Sequence, residues 1–204
     1  VLRFSQDLPK KLRSVIQHQN NAFLFLGSKR HAMKDLFQNP NSPFYNSGIV
    51  LPLEKIPREE FRKFIERWFK RTRVRLQKGD VDGVLSFTEG HPYYTQYLCH
   101  FLWEKRRAGD DSTGLKSVLQ GIVDANSGFY ERLHAGLTTN QRKALAVAAT
   151  EENAFSQGAL EKHGFSTTQT LQKALQALEA KEVLDKNGRY AFTDLFFREW
   201  VLRR

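Results

Sequence analysis

Only one cysteine, Cys99, occurs in the 204 residues, so no disulfide can form within the chain. It sits in an apolar helix pattern, where a lone thiol serves as a small core side chain. No apolar run reaches the length of a bilayer and no secretory leader opens the sequence, which predicts a cytoplasmic protein with no membrane partner. C-x-x-C, H-E-x-x-H and G-x-S-x-G are all missing, and the six histidines are scattered without ligand spacing, so no metal site is expected. Also missing are G-x-x-x-x-G-K-[ST] and an apolar strand ending in Asp-Asp or Asp-Glu. Without the first, no loop cradles phosphates; without the second, no carboxylate holds Mg²⁺ or orients a water. The chain begins at Val1, in the approach to a helix, as a fragment or a trimmed protein would.

What is present supports a packed core: 40% of residues are apolar and 12% aromatic. The formal charge of +10 suits a polyanionic partner. Before Leu137, 22 Lys/Arg face 14 Asp/Glu; from Leu137 onward 10 face 8. The excess therefore lies in the first two thirds.

Leu8 to Gln19 reads as a helix with Pro9 in its first turn and Leu8, Leu12, Val15 and Ile16 at helical spacing. AFLFLG (Ala22 to Gly27) is a continuous apolar run of the kind found in parallel strands buried on both faces. A short helix follows over Ala32 to Phe37, then a loop, then IVLPL (Ile49 to Leu53) as a second strand. Strand, helix, strand fits an α/β pattern, here a remnant of a sheet. From Pro57 the chain turns helical. Phe61, Phe64, Ile65, Trp68 and Phe69 fall on one face, with Arg62, Lys63, Arg67, Lys70 and Arg71 around the rest. Further helices are expected over Asp80 to Glu89, Tyr93 to Lys105, and a segment from Thr113 to Leu133.

The final seventy or so residues carry a sharper pattern. Thr138 and Gln141 form a capping-box pair, Ser156 can cap a short helix, and Ser166 with Gln169 suggests a second box. The helix after it places Leu171, Leu175 and Leu178 inward. VLDKNGRYAF reads as a hairpin around Asn187-Gly188, and Asp194 caps a last helix carrying Phe196, Phe197, Trp200 and Val201. Together these predict a winged helix. Its second helix would enter a DNA major groove with Gln169, Gln172 and Lys173 outward, Lys186 and Arg189 adding charge from the wing. Three cations are few for phosphate neutralisation. A winged helix used for packing or for binding protein fits the residues equally well.

One stretch, FTEGHPYYTQYLCHFLW, sets Gly90-His91-Pro92 between two helices. Gly90 suits the left-handed residue that ends a helix, and Pro92 suits the first turn of the next. A tight structural corner accounts for all three.

Taken in order, LRSVIQHQ, FLFLGSKRHAMKDLF, SPFY, GHPYYTQYLCHFLW and LTTNQRKALAVAA, followed by a winged helix, resemble the archaeal-type ATPase family. That family belongs with the AAA+ and STAND P-loop ATPases. The resemblance runs over nearly the whole chain and matches the portion that follows Walker B. It implies an α/β remnant of a P-loop domain (residues 1–55), an all-α lid (56–134) and a C-terminal winged helix (135–204), predominantly helical. The strand Ala22 to Leu26 would deliver the sensor-1 residue, Ser28, with Arg30 near the transferring phosphoryl group; Lys29 reads as a solvated loop residue. Gly90, His91 and Pro92 are similar to the G-x-P element that lies against adenine, His91 being its variable middle position. Arg13 is a candidate arginine finger, though a surface ion pair suits it better.

The resemblance further implies ATP or ADP with Mg²⁺ in the complete protein, a missing N-terminal P-loop half, and room for homo-oligomerisation. This chain alone should neither hydrolyse ATP nor hold it tightly. Two functions follow from these readings. One is a nucleotide-dependent switch whose lid moves the winged helix against a DNA or protein partner. The other is a non-enzymatic basic winged-helix module that binds DNA.

Overall fold

The computed structural model describes residues 7–27, 30–53, 55–110 and 114–204; of Arg30, His31 and Asn187 only the backbone is described. The described residues hold eleven helices and one two-stranded sheet, and the chain divides into two compact units, residues 1–54 and 55–204.

The first unit contains α1 (Leu8–Ile16) and α2 (Arg30–Gln38). Its core is small. Phe25, Phe37 and Phe44 meet with ring centroids 5.4 to 5.7 Å apart, and Phe44 is fully buried. The two expected strands are not formed. Residues 22–27 and 49–53 pair with no strand among the described residues, and Leu24, Leu26, Ile49, Leu51 and Leu53 are exposed. The physical reason is that a parallel strand has its backbone and both faces satisfied only by neighbouring strands and covering helices. Two short runs cannot supply these for each other. The α/β remnant is thus present as apolar sequence without a sheet.

The second unit is helical and continuous. α3 (Arg58–Arg71) buries Phe61, Ile65 and Phe69, three positions at i, i+4 and i+8, and leaves Phe64 and Trp68 exposed. α4 (Asp80–Thr88) lies beside it, held by Asp82, whose carboxylate accepts from Arg58 at 2.9 Å and from Arg62. α5 (Pro92–Arg107) follows the Gly90 corner. A buried ion pair crosses this group: Arg106 donates to Asp80 at 3.2 Å, the two side chains being 1% and 6% exposed.

The expected single helix of Thr113 to Leu133 is two, α6 (Leu115–Ala125) and α7 (Ser127–Ala135); Thr113 itself lies outside the described residues. The break falls at Asn126, whose side-chain amide donates to the Ile122 carbonyl at 2.8 Å. A short polar side chain that captures an i−4 carbonyl competes with the helix for it.

α8 (Thr139–Thr150) opens with the expected capping box, Thr138 and Gln141 exchanging hydrogen bonds. α9 (Gln157–Lys162) is capped by Ser156. α10 (Thr168–Ala180) is capped by Thr167 rather than Ser166: the Thr167 hydroxyl accepts from the Thr170 amide at 3.2 Å and meets the Thr170 hydroxyl at 2.9 Å. Thr170 supplies the third-position partner that Gln169 was expected to provide. β1 (Leu184–Asn187) and β2 (Arg189–Phe192) form the antiparallel wing, with Gly188 at its tip in the left-handed region (φ +81°). α11 (Leu195–Leu202) is capped by Asp194, which accepts from the Phe196 and Phe197 amides. The protein is thus predominantly helical with a winged helix at its C-terminal end.

Base helices and winged helix share one buried cluster running from Phe61 to Trp200. Phe196 of α11 is its pivot, packed on Phe87, Tyr94 and Tyr97 at 5.4 to 5.6 Å. Two hydrogen bonds cross the same seam: Tyr94 donates to the Thr193 carbonyl at 2.6 Å, and Tyr130 to Asp194 at 3.1 Å. No helix among the described residues is long and apolar enough to cross a membrane.

Candidate functional site

The outer face of α10 is set by what its inner face buries. Leu171, Ala174, Leu175 and Leu178 point into the core, so Gln169, Gln172, Lys173 and Gln176 emerge together on the opposite side, all exposed. Beside this stripe a shallow cavity of about 260 Å³ lies between α10 and the start of α8, lined by Thr138, Asn140, Gln141, Thr170, Lys173, Ala174 and Ala177. Lys181 reaches its edge, donating to Gln141 at 3.3 Å. Thr138, Asn140, Gln141 and Thr170 supply amide and hydroxyl groups here, able to both donate and accept.

The wing cations are partly engaged within the chain. Lys186 lies 5.5 Å over the Tyr190 ring. Arg189 is 3.8 Å from Glu89, which also pairs with Lys55 at 2.9 Å. The Lys55 hydrogen bond, reinforced by Arg189, holds the Glu89 carboxyl below the usual range. Sequence reasoning had no way to find this tie between wing and corner. Glu89 is 100 residues from Arg189 in the chain (189 − 89), and only folding brings them together.

Charge over the winged helix is nearly balanced. Residues 128–203 contain ten Lys/Arg against nine Asp/Glu, whereas 58–78, α3 and the loop after it, contain nine against three. The basic excess of the second unit thus lies at α3.

The corner itself is tightly drawn. Glu89 and Gly90 both have positive φ (+50° and +74°), His91 precedes the helix, and Pro92 is its first residue. A Cβ on Gly90 would come 3.0 Å from the Ile56 carbonyl oxygen, so both the dihedral and the space favour glycine. Beneath it the Thr88 and Thr95 hydroxyls share a buried hydrogen bond of 2.8 Å. His91 and Pro92 are exposed; the His91 ring leans on Tyr94 at 4.8 Å, and desolvation, then Lys55, lowers its pKa.

Ser28 and Lys29 lie outside the described residues. Arg30 begins α2, and its side chain is not described. Arg13, a candidate finger or ion-pair residue from sequence, lies 5.9 Å over the Phe44 ring and has no carboxylate partner among the described residues. A nucleotide with Mg²⁺ does not fit what is described. No described group of three His, Cys, Asp or Glu could hold a metal ion, and the corner offers the Gly90 backbone and a proline but no cradle for phosphate. Burial pushes the Cys99 thiol up to about 12, leaving it protonated and unreactive.

In comparisons with known proteins, residues 128–203 match the family described as a probable winged helix domain. No curated protein and no solved structure matches the chain.

Proposed function

We propose that the chain is a DNA-binding winged-helix module and that α10 is its recognition helix. The observation that carries this reading is the exposed stripe Gln169, Gln172, Lys173 and Gln176 on the helix that a winged helix offers to the major groove. Glutamine can pair bidentately with adenine and Lys173 can reach guanine. Lys186 and Arg189 would reach phosphates from the wing, Arg189 by leaving Glu89. With a domain charge near zero, affinity would rest on few phosphate contacts, so binding should be modest and depend weakly on salt.

The test is fluorescence anisotropy of labelled duplex DNA against the full chain over a salt series. Neutralising Lys186 and Arg189 together with glutamine should lower the slope of log K against log salt by about 1.8, two phosphate contacts' worth, and adding Lys173→Gln should weaken binding further. An unchanged slope and affinity would remove α10 and the wing from the contact and direct attention to α3.

A second reading rests on the corner. A buried glycine at φ +74° followed by an exposed His-Pro is the geometry the ATPase resemblance would need for a lid element against adenine. Under that reading the chain is the C-terminal portion of a nucleotide-dependent switch, Ser28 and Arg30 act near the phosphates, and ATP or ADP with Mg²⁺ is held mainly by an upstream P-loop half. Because α4, α5 and α11 share one core, lid and winged helix would move as a single body. The native gene upstream of the codon for Val1 decides it: a Walker A motif followed by an apolar strand ending in Asp-Asp or Asp-Glu supports the switch. Given that upstream half, Pro92→Ala in the complete protein should weaken ADP binding; unchanged affinity removes the corner from the site.

A further inference from the structure

Between α3 and α5 runs a groove of about 210 Å³ lined almost wholly by apolar and aromatic groups, among them Phe64, Trp68, Cys99 and Trp103. Phe64 and Trp68 are 38% and 44% exposed, although they share a helix with three fully packed residues. Trp103 spans the gap, its indole N–H donating to the Thr72 hydroxyl at 2.9 Å, so the groove is fixed in shape.

The rim is cationic. The guanidinium of Arg67 lies 5.9 Å over Phe64, Arg71 5.0 Å over Trp68, and Arg107 5.0 Å over Trp103. Among the described residues none of the three has a carboxylate partner. The acids of α3 are engaged elsewhere, Glu59 and Glu66 with Arg62, and Glu60 with Lys63; on α5, Glu104 faces His100. Rings with their faces covered in this way are poor stacking platforms for bases. The guanidinium edges, however, remain free to fork onto carboxylates. The volume is below that of drug-sized ligand sites and suits a few apolar side chains of a helix instead.

We propose that this groove docks an acidic amphipathic helix of a partner protein. The apolar ridge of that helix, at i, i+3, i+4 and i+7, would enter between Phe64, Trp68 and Trp103. Its Asp and Glu flanks would pair with Arg67, Arg71 and Arg107.

The probes are two fluorescein-labelled peptides of about 18 residues, long enough to hold a helix, with one apolar face of leucines and either Glu or Lys on the flanks, and a labelled oligothymidylate. The Glu-flanked peptide should bind the full chain more tightly than the Lys-flanked one, and added salt should weaken it. Trp68→Ala, and separately Arg67→Glu with Arg71→Glu, should each weaken it by about tenfold or more. The double reversal should also improve binding of the Lys-flanked peptide, an effect that unfolding cannot imitate. Lys143→Glu with Lys162→Glu, the same charge change placed on α8 and α9 of the same unit, should leave affinity unchanged. The proposal is overturned if the peptide fails to bind, if the α8–α9 change weakens it as much as the rim reversal, or if the oligothymidylate displaces it from the groove.

Discussion

Leu24, Leu26, Ile49, Leu51 and Leu53 are between 76% and 89% exposed, while Leu98, Leu102, Leu145, Leu171, Leu175 and Leu178 are completely buried. The first group belongs to residues 22–53, the second to 55–204. Both sets are as apolar as any in the chain, so composition does not separate them. What separates them is how each secondary structure satisfies its backbone. A helix closes its own hydrogen bonds and needs a neighbour for one face only. An extended run needs partner strands for its backbone and cover for both faces. Residues 55–204 consist of helices and one hairpin, so each element closes its backbone hydrogen bonds within a short span of sequence. Residues 22–27 and 49–53 depend on strands that the described residues do not contain.

Hydrogen exchange is the most direct way to break this comparison. Amides of 22–27 and 49–53 donate to no backbone carbonyl among the described residues, and they should exchange at nearly unprotected rates. Core amides of α5 and α10 should be slower by a factor on the order of a thousand or more. Slow exchange at 23–26 would mean that the run has found a sheet partner, and the contrast would disappear.

What was legible in the sequence follows the same division. The Thr138 box, the Ser156 and Asp194 caps, the hairpin at Gly188 and the inward leucines of α10 are local signals, and each is found in the structure. The strands were misread because a continuous apolar run specifies burial without naming its neighbours. The Ser166 box was misread by one residue because Thr167 and Thr170 offer an equivalent pair one step on. The outer face of α10 was readable, since helical periodicity alone puts Gln169, Gln172 and Lys173 outward. The engagement of Arg189 by Glu89, and the Arg-capped aromatic groove, depend on contacts between distant segments and left no local trace. Five apolar positions on α3 looked like one buried face; burying three of them was enough.

Within 55–204, the buried Arg106–Asp80 pair should give the largest single loss. Arg106→Met strands the Asp80 carboxylate in the core with the Gln77 amide at 2.8 Å as its known remaining donor, and should cost about 3–5 kcal/mol. Urea unfolding followed by tryptophan emission measures it, since Trp68, Trp103 and Trp200 all lie in this unit. Adding Asp80→Leu should restore most of the loss, because the penalty belongs to the uncompensated charge. If the single variant is as stable as the parent, the pair is solvated and the core is open to water at this point.

Gly90→Ala should come next, at about 1–3 kcal/mol, from a strained dihedral and the close Ile56 carbonyl. Gly114→Ala is the matched control: Gly114 has an ordinary φ of −75° and open space around its Cβ position, so it should be near neutral. Equal losses at the two glycines would mean that the corner relaxes freely, which would also weaken its candidacy as a rigid nucleotide sensor.

The smallest effect expected is confined to acid. Glu151, at the end of α8, accepts hydrogen bonds from Lys162 at 2.7 Å, His163 at 3.0 Å and Thr150 at 3.0 Å. Chiefly through the Lys162 bond, then His163 and Thr150, its carboxyl is held at about 2, against 4.5 ordinarily. A carboxyl depressed by folding binds its proton more readily in the unfolded chain. Its contribution to stability is therefore fully present above about pH 4.5 and is lost as pH falls toward 2. Glu151→Gln should be less stable than the parent at neutral pH, with the two unfolding midpoints converging through that window. Asp82 and Glu89 are also depressed and remain in both proteins, so the parent should still lose stability in acid, only more steeply than the variant. Parallel curves from pH 5 to pH 2 would show that the α8–α9 tether exists in the folded chain without contributing to its stability, as many exposed ion pairs do.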